Sequence, residues 1–140
     1  MAWKPKTPYL TTDGIVELFD NSDTLLGIVL IQRKNPPYGL AFPGGFVDVG
    51  ECVEEAVVRE MKEEISLDVE IKKLLGVYSD PNRDPRFHTA SVVYICKAYG
   101  EPKAADDAKE LTVIPIEQLR SKQSELVFDH GKILADYLNG

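Results

Sequence analysis

The sequence of 140 residues is poor in the features that identify several protein classes. It has two cysteines, Cys52 and Cys96, and their positions fit no metal-ligand spacing, which argues against a cysteine-based metal centre. Lysine and arginine number 16 against 23 aspartates and glutamates, so the formal net charge of -7 argues against the basic stripe that holds a nucleic-acid backbone. No apolar run is long enough to span a membrane, and residues 1–5 do not form a charged-then-apolar leader. We therefore expect a cytoplasmic protein with free thiols that binds neither nucleic acid nor membrane.

The apolar residues, 44% of the chain, are sufficient for one core, and we expect a single domain over residues 1–140. Apolar or alternating segments predict five strands, over residues 10–20, 25–31, 69–78, 88–99 and 111–114. The segment 25–31 is apolar throughout, which is typical of a strand covered on both faces. Helical patterns occur within 45–67 and over 126–138, and a short helix is predicted to begin at Pro115. Strands that alternate with helices predict an α/β fold, with a mixed sheet between helices.

The first long helix carries a strip of carboxylates. Glu60, Glu63 and Glu64 stand at positions i, i+3 and i+4, next to an apolar strip that is expected to face the core, formed by Val57, Val58, Met61 and Ile65. Arg59 and Lys62 fall on the other side of the helix, so no cation on this face is expected to relieve the repulsion of about 0.2–0.5 kcal/mol per like pair. Clustered carboxylates suit a hard divalent cation such as Mg²⁺. The alternative is a solvated acidic face.

The spacing of the residues around this strip favours the cation. The pattern Gly-x5-Glu-x7-Arg-Glu-aliphatic-x-Glu-Glu is matched by Gly45, Glu51, Arg59, Glu60, Glu63 and Glu64, with Met61 at the aliphatic position. This pattern resembles the signature of the Nudix hydrolases. The resemblance implies a Nudix-type α/β/α sandwich with a mixed β-sheet, and Mg²⁺, or alternatively Mn²⁺, as the cofactor. Ser66 stands where that family usually has glycine, at a helix end where a left-handed residue is common.

The resemblance also implies roles for individual residues. Glu60, Glu63 and Glu64 would hold the metal together with the backbone carbonyl of Gly44, and Arg59 would orient the carboxylates through a salt bridge. Glu51 would support the loop and the outer part of the metal site.

The base that deprotonates the attacking water stays open among Glu60, Glu64 and Glu110. Glu110 best matches a loop acid that precedes a strand in the family, and Asp107 is the second choice. An exposed acidic loop without a catalytic role is the alternative for both.

Three arginines are candidates for binding phosphate. Arg33 follows a buried strand and either meets phosphate oxygens or is solvated. Arg83 and Arg86 lie in a loop over 79–87 that two prolines stiffen, and they either read the substrate or pair within the loop with Asp80 and Asp84.

Residues 78–86 read Tyr-Ser-Asp-Pro-Asn-Arg-Asp-Pro-Arg, which resembles the ADP-ribose pyrophosphatase branch of the Nudix group. That resemblance implies a small-molecule nucleotide substrate, first ADP-ribose, cleaved to AMP and ribose 5-phosphate. Two alternatives remain: a pyrophosphohydrolase of ordinary or oxidised nucleoside triphosphates, and a sensor that binds ADP-ribose without cleaving it.

Three further expectations concern structure. Trp3, in an extended arm over residues 1–8, is expected to pack on its own domain or on a twin subunit, which together with the resemblance suggests a homodimer. His88 is expected to be a hydrogen-bonded structural histidine. Asp129 is expected to be the N-cap of the last helix.

Overall fold

A mixed sheet lies at the centre of the molecule, for which the computed structural model describes residues 3–105 and 108–140. Its strands are β1 (Tyr9–Phe19), β2 (Leu25–Arg33), β3 (Leu40–Ala41), β4 (Gly44–Phe46), β5 (Glu70–Tyr78), β6 (Thr89–Tyr99) and β7 (Ala108–Ile114). The strand order is β3-β2-β1-β6-β5, with β4 paired to β1 and β7 paired to β2. The pair β1–β6 is parallel and the other pairs are antiparallel. The sheet is therefore mixed, as predicted.

Helices cover both faces of this sheet. They are α1 (Val53–Ile65), α2 (Ile116–Leu119) and α3 (His130–Asn139), and a 3₁₀ segment follows α2 over Arg120–Glu125. One core contains Ile28 and Leu30 of β2 with Ile133 and Leu134 of α3. The other core contains Val29 and Ile31 of the same strand with side chains of α1. Because successive residues of a strand point to opposite faces, β2 is covered on both sides, and the predicted α/β/α arrangement is confirmed.

The buried face of α1 differs slightly from the predicted one. Ala56 is buried together with Val57, Met61 and Ile65, whereas Val58 is 38% exposed. The helix ends at Ser66, whose φ of 58° and ψ of 34° are left-handed. A left-handed residue is common at this position, and Ser66 keeps that conformation at a cost of about 1–2 kcal/mol for a residue with a Cβ.

Two predicted boundaries are wrong. The last helix begins at His130 and not at residue 126, because the preceding backbone pairs with β3: Leu126 bridges Leu40, and the N–H of Val127 donates to the carbonyl of Leu40. Strand β7 begins at residue 108 and not at 111, so Glu110 lies inside a strand.

The expectation for His88 holds. A ring nitrogen of His88 lies 2.9 Å from the carbonyl oxygen of Ser79, which confirms a structural hydrogen bond. Within the described ranges, no helix combines the length and the apolar composition that a membrane crossing requires.

Candidate active site

A cavity of about 450 Å³ lies between α1, the paired strands β1 and β4, and the loop between β5 and β6. Seven of the residues predicted for the site line it: Arg33, Gly44, Glu60, Glu63, Glu64, Arg83 and Arg86. The cavity therefore gathers residues from across the chain, and the sheet places them at one end of its central strands.

The backbone of β4 brings the glutamates of α1 close to the sheet. The N–H of Gly44 donates to Glu64 over 2.9 Å. At Gly45 a Cβ would lie 2.5 Å from the carboxyl carbon of Glu60, so only glycine allows this approach. Gly44 itself pairs with Asp13 of β1, where a Cβ would lie 2.2 Å from the carbonyl oxygen of Thr12.

Arg59 pairs with two of the three carboxylates of the strip, so the expectation that no cation would relieve their repulsion is wrong. Its Nη1 donates to Glu60 over 3.0 Å and to Glu63 over 3.1 Å. Its Nε and Nη2 bind both carboxylate oxygens of Glu51, and Nη2 also donates to the carbonyl of Phe46. The long side chain of Arg59 bends around the helix to reach these carboxylates. A helical wheel shows only the direction in which a side chain leaves the helix, so it does not predict this contact. The predicted role of Arg59, orienting carboxylates, agrees with these contacts.

The glutamates differ in their surroundings. The side chain of Glu60 is only 13% exposed. Burial raises the pKa of Glu60, Arg59 opposes this shift, and the nearby carboxylates of Glu63 and Asp48 add to it. Glu63 is more exposed than Glu60. Among the described residues, no group of three or more acidic, histidine or cysteine side chains is arranged to hold a metal ion.

The three arginines occupy different environments. Arg33 donates to the carbonyl oxygens of Pro36 and Pro37 and lies against the ring of Phe128. Arg86 pairs within its loop, donating to both oxygens of Asp84 over 3.0 and 2.9 Å. This is one of the local pairings that the sequence left open.

Arg83 is held by a distant partner. Its side chain is 4% exposed and donates from Nε and Nη2 to both oxygens of Asp129, and from Nη1 to Thr89. Asp129 stands at the N-cap position of α3, but its side chain makes no cap hydrogen bond because it binds Arg83 instead. Arg83 therefore joins its loop to α3 and β6, and its donors face protein rather than the cavity.

Glu110 does not join the other predicted residues. It is exposed on β7, opposite Gln32 of β2, and does not line the cavity. Asp107 lies outside the described residues.

A buried polar chain at the base of the cavity was not predicted. The N–H of Phe42 donates to Nδ1 of His130 over 3.1 Å, so that nitrogen carries no proton and Nε2 faces Asp13 at 3.7 Å. Ser91 also donates to Asp13. Burial raises the pKa of Asp13, but its contacts with His130 and Ser91 and the charge of Arg83 outweigh this effect and hold the pKa below its ordinary value. The sequence signal for this buried polar chain was Asp13, a charged residue within the first predicted strand.

An aromatic cluster that includes Phe46 of the cavity wall was not predicted. Tyr9, Phe46 and Phe87 are exposed and touch one another, with ring centroids 4.9 to 6.1 Å apart. They come from β1, β4 and the loop after β5, so no local pattern joins them.

The chain matches known proteins over most of its length. A family model described as NUDIX domain matches residues 8–137. An ADP-ribose pyrophosphatase of Methanocaldococcus jannaschii is 51% identical over 134 residues, which make up 94% of this chain and 73% of that protein.

Two solved structures extend the comparison. A MutT/nudix family protein from Enterococcus faecalis has a TM-score of 0.77 and 28% identity over 99% of this chain. A bifunctional NMN adenylyltransferase/ADP ribose pyrophosphatase from Francisella tularensis, complexed with AMP and a Mn ion, has a TM-score of 0.81 and 26% identity over 96% of this chain. The chain spans 64% of the first of these proteins and 42% of the second.

Proposed function

This chain belongs to the Nudix hydrolase family, as its glutamate motif predicted, and we propose that its substrate is ADP-ribose, which it cleaves to AMP and ribose 5-phosphate. The observation that carries the proposal is the position of Glu60, Glu63 and Glu64 on one wall of a cavity that also holds Arg33 and Arg86. Carboxylates for a cation and guanidiniums for phosphate thus face the same space. The relative of 51% identity, which carries the name of this activity, supports the choice of substrate. We further propose that residues 1–140 form one Nudix domain.

Nudix hydrolases generally use a divalent metal, and for this chain we propose Mg²⁺, with Mn²⁺ as an alternative. Glu60, Glu63, Glu64 and the carbonyl of Gly44 would hold it. This donor set fits a hard cation because it consists only of oxygens and because three of its members are carboxylates, of which Glu60 and Glu63 share one guanidinium. When bound, the cation would lower the pKa of a bound water and neutralise charge on the phosphates.

The residues around the carboxylates have distinct tasks in this proposal. Arg59 would keep its two bonds to Glu51 if Glu60 and Glu63 held the metal, so its guanidinium would stay beside the carboxylates. The base is Glu60 or Glu64, since both line the cavity. Glu110 has no place in this scheme because it is exposed on β7, away from the cavity.

Arg33 and Arg86 would bind the phosphate oxygens. The guanidinium of Arg33 makes its hydrogen bonds to neutral carbonyls, so its charge remains available to an anion in the cavity. The guanidinium of Arg86 donates to both oxygens of Asp84, and this pairing fixes its orientation. Arg83, which was predicted to be a third substrate-binding arginine, would instead support the loop through its ion pair with Asp129.

A substrate panel tests the proposal. ADP-ribose, nucleoside triphosphates and oxidised nucleoside triphosphates are assayed with Mg²⁺, and the products are identified by chromatography. We expect kcat/KM for ADP-ribose to exceed that for every triphosphate by at least about tenfold, roughly 1.4 kcal/mol of differential transition-state binding. If a triphosphate is cleaved best, the proposed substrate is wrong but the assignment as a hydrolase stands. Binding of ADP-ribose without cleavage would identify a sensor.

Two further proposals concern the setting of this activity. The free thiols of Cys52 and Cys96 support a reducing compartment such as the cytoplasm; burial raises the pKa of Cys96 to about 12.

We also propose a homodimer. Trp3 is 84% exposed, so it does not pack on its own domain, and the exposed rings of Tyr9, Phe46 and Phe87 offer apolar surface to a partner. Sedimentation equilibrium distinguishes a dimer from a monomer.

A further inference from the structure

Two aromatic rings and two guanidiniums alternate along one side of the cavity. The guanidinium carbon of Arg33 lies 4.9 Å from the ring centroid of Phe128, and that of Arg86 lies 5.3 Å from the same centroid. Arg86 also lies 5.1 Å from the ring of Phe87. All of these distances are within the range of cation–π attraction. Phe128 is therefore the side chain that joins an arginine of β2 to an arginine of the loop between β5 and β6.

The backbone of Phe128 is strained in this position. Its φ of 56° is left-handed, a conformation that a bulky residue rarely adopts. Anchored neighbours impose it: on one side Val127 donates to the carbonyl of Leu40, and on the other Asp129 is held by Arg83. Strain of this kind persists where the surroundings over-determine it, and it is frequent at binding sites. The ring of Phe128 also lies 5.2 Å from that of His130, which fixes its remaining side.

The two guanidiniums repel each other, although each also has hydrogen-bond partners of its own. Burial and the charge of Arg86 both lower the pKa of Arg33, and the carboxylates of Glu64, Asp84 and Asp13 oppose this shift. Like charges therefore meet inside a partly buried cavity, where their repulsion is less screened than in water. An aromatic face attracts both cations and so offsets part of this repulsion.

We infer that Phe128 is a positioning residue, which holds Arg33 and Arg86 at a fixed spacing for the phosphate oxygens of a nucleoside diphosphate substrate. The inference deepens the proposed function and rests on it for the identity of the anion. The arrangement itself is a property of the free protein, because the contacts of both arginines with the ring exist without a ligand. It can therefore be tested separately from hydrolysis.

Chemical labelling tests the positioning. Phenylglyoxal modifies accessible guanidiniums, and peptide mass spectrometry gives the rate at Arg33 and Arg86 relative to the exposed Arg120 of the same chain. Phe128→Leu keeps an apolar side chain and the backbone penalty but removes the aromatic face, whereas Phe128→Tyr keeps the face. We expect labelling at Arg33 and Arg86 to be severalfold faster in Phe128→Leu and unchanged in Phe128→Tyr. Equal relative rates in the wild type and both variants would overturn the inference.

Kinetics tests whether the spacing serves phosphate binding. With the substrate that the panel ranks first, Phe128→Leu is expected to raise KM about tenfold with kcat little changed, because the lost contacts bind ground state and transition state alike. Phe128→Tyr should restore KM. Arg33→Lys keeps the charge but loses the planar group, and it should raise KM similarly. In the double variant the two effects should be less than additive, because one of the two arginines that Phe128 contacts is already altered.

Failure of the positioning role can be distinguished from failure of the proposed function. Additive effects of Arg33→Lys and Phe128→Leu, or a fall in kcat alone, would overturn the positioning role. If Phe128→Leu does not fold, Phe128→Met takes its place in both assays, since methionine also lacks the ring. A wild-type protein that does not cleave ADP-ribose would overturn the proposed function, while the labelling result would still decide the role of Phe128.

Discussion

The carboxylate of Glu64 accepts a hydrogen bond from the backbone N–H of Gly44 over 2.9 Å, which joins α1 to β4. Beside it, the absence of a side chain at Gly45 lets the carboxylate of Glu60 approach the same backbone. Two of the proposed metal ligands therefore lie against β4, the strand that would supply the carbonyl ligand of Gly44. The same contacts explain why two successive glycines follow Pro43, since a Cβ at either would meet atoms closer than 3 Å.

Replacement of Arg59 by lysine tests the hub of the carboxylate network. Arg59 donates to Glu51, Glu60, Glu63 and the carbonyl of Phe46, and a lysine ammonium cannot reproduce this planar set of bonds. We expect Arg59→Lys to lower the free energy of unfolding by about 1.5–3 kcal/mol, the range for hydrogen bonds to charged groups. Urea denaturation measures the change.

The matched control is Lys62→Ala on the same helix. Lys62 pairs only at the surface with Asp68, over 3.2 Å, and such pairs contribute about 0–1 kcal/mol. Equal effects of the two substitutions would contradict the central role of Arg59.

Glu51 predicts a dependence of stability on pH. The hydrogen bond from Arg59, followed by that from the backbone of Asp48, lowers the pKa of Glu51 from 4.5 to about 2. Because the folded pKa is below the unfolded value, the stabilisation is complete above pH 4.5 and is lost as the pH falls towards 2. We expect the stability difference between the wild type and Glu51→Gln to shrink across this window. Thermal denaturation at a series of pH values measures it, and a difference independent of pH would refute the linkage.

Arg83 is predicted to stabilise the protein rather than bind substrate. Arg83→Met leaves the carboxylate of Asp129 and the hydroxyl of Thr89 without their donor, and breaking such a buried pair costs about 3–5 kcal/mol. Urea denaturation should show this loss. In the double variant Arg83→Met, Asp129→Leu the uncompensated charge is gone, so much of the stability should return. Failure of the second substitution to restore stability would argue against the ion pair as the cause.

The sequence predicted the local elements better than the long-range contacts. Strands β1, β2, β5 and β6 follow apolar patterns within a residue or two, and the left-handed Ser66 follows from its place after the helix. The parallel pairing of β1 with β6 joins residues about 80 positions apart, for which no local pattern exists. The late start of α3 has the same origin, because β3 captures the backbone at Leu126 and Val127.

The site shows the same division. The spacing of Glu60, Glu63 and Glu64 on a helix determines that they share a face, and the structure places them in one cavity. Arg83 alternates with aspartates in sequence and could be assigned a local partner, yet its partner is Asp129, 46 residues away. Asp13 and His130 meet only because β1 and α3 pack together.

The turnover of Glu64→Gln with ADP-ribose and Mg²⁺ tests the central claim most directly. Glutamine keeps the shape of the side chain and an oxygen that accepts the hydrogen bond from Gly44, but it lacks the charge that would bind a cation. Glu117→Gln, on the exposed first turn of α2, is the matched control. We predict that kcat falls by about a hundredfold or more in Glu64→Gln, with the melting temperature and the control variant unchanged. A folded Glu64→Gln protein with near-normal turnover would contradict the account.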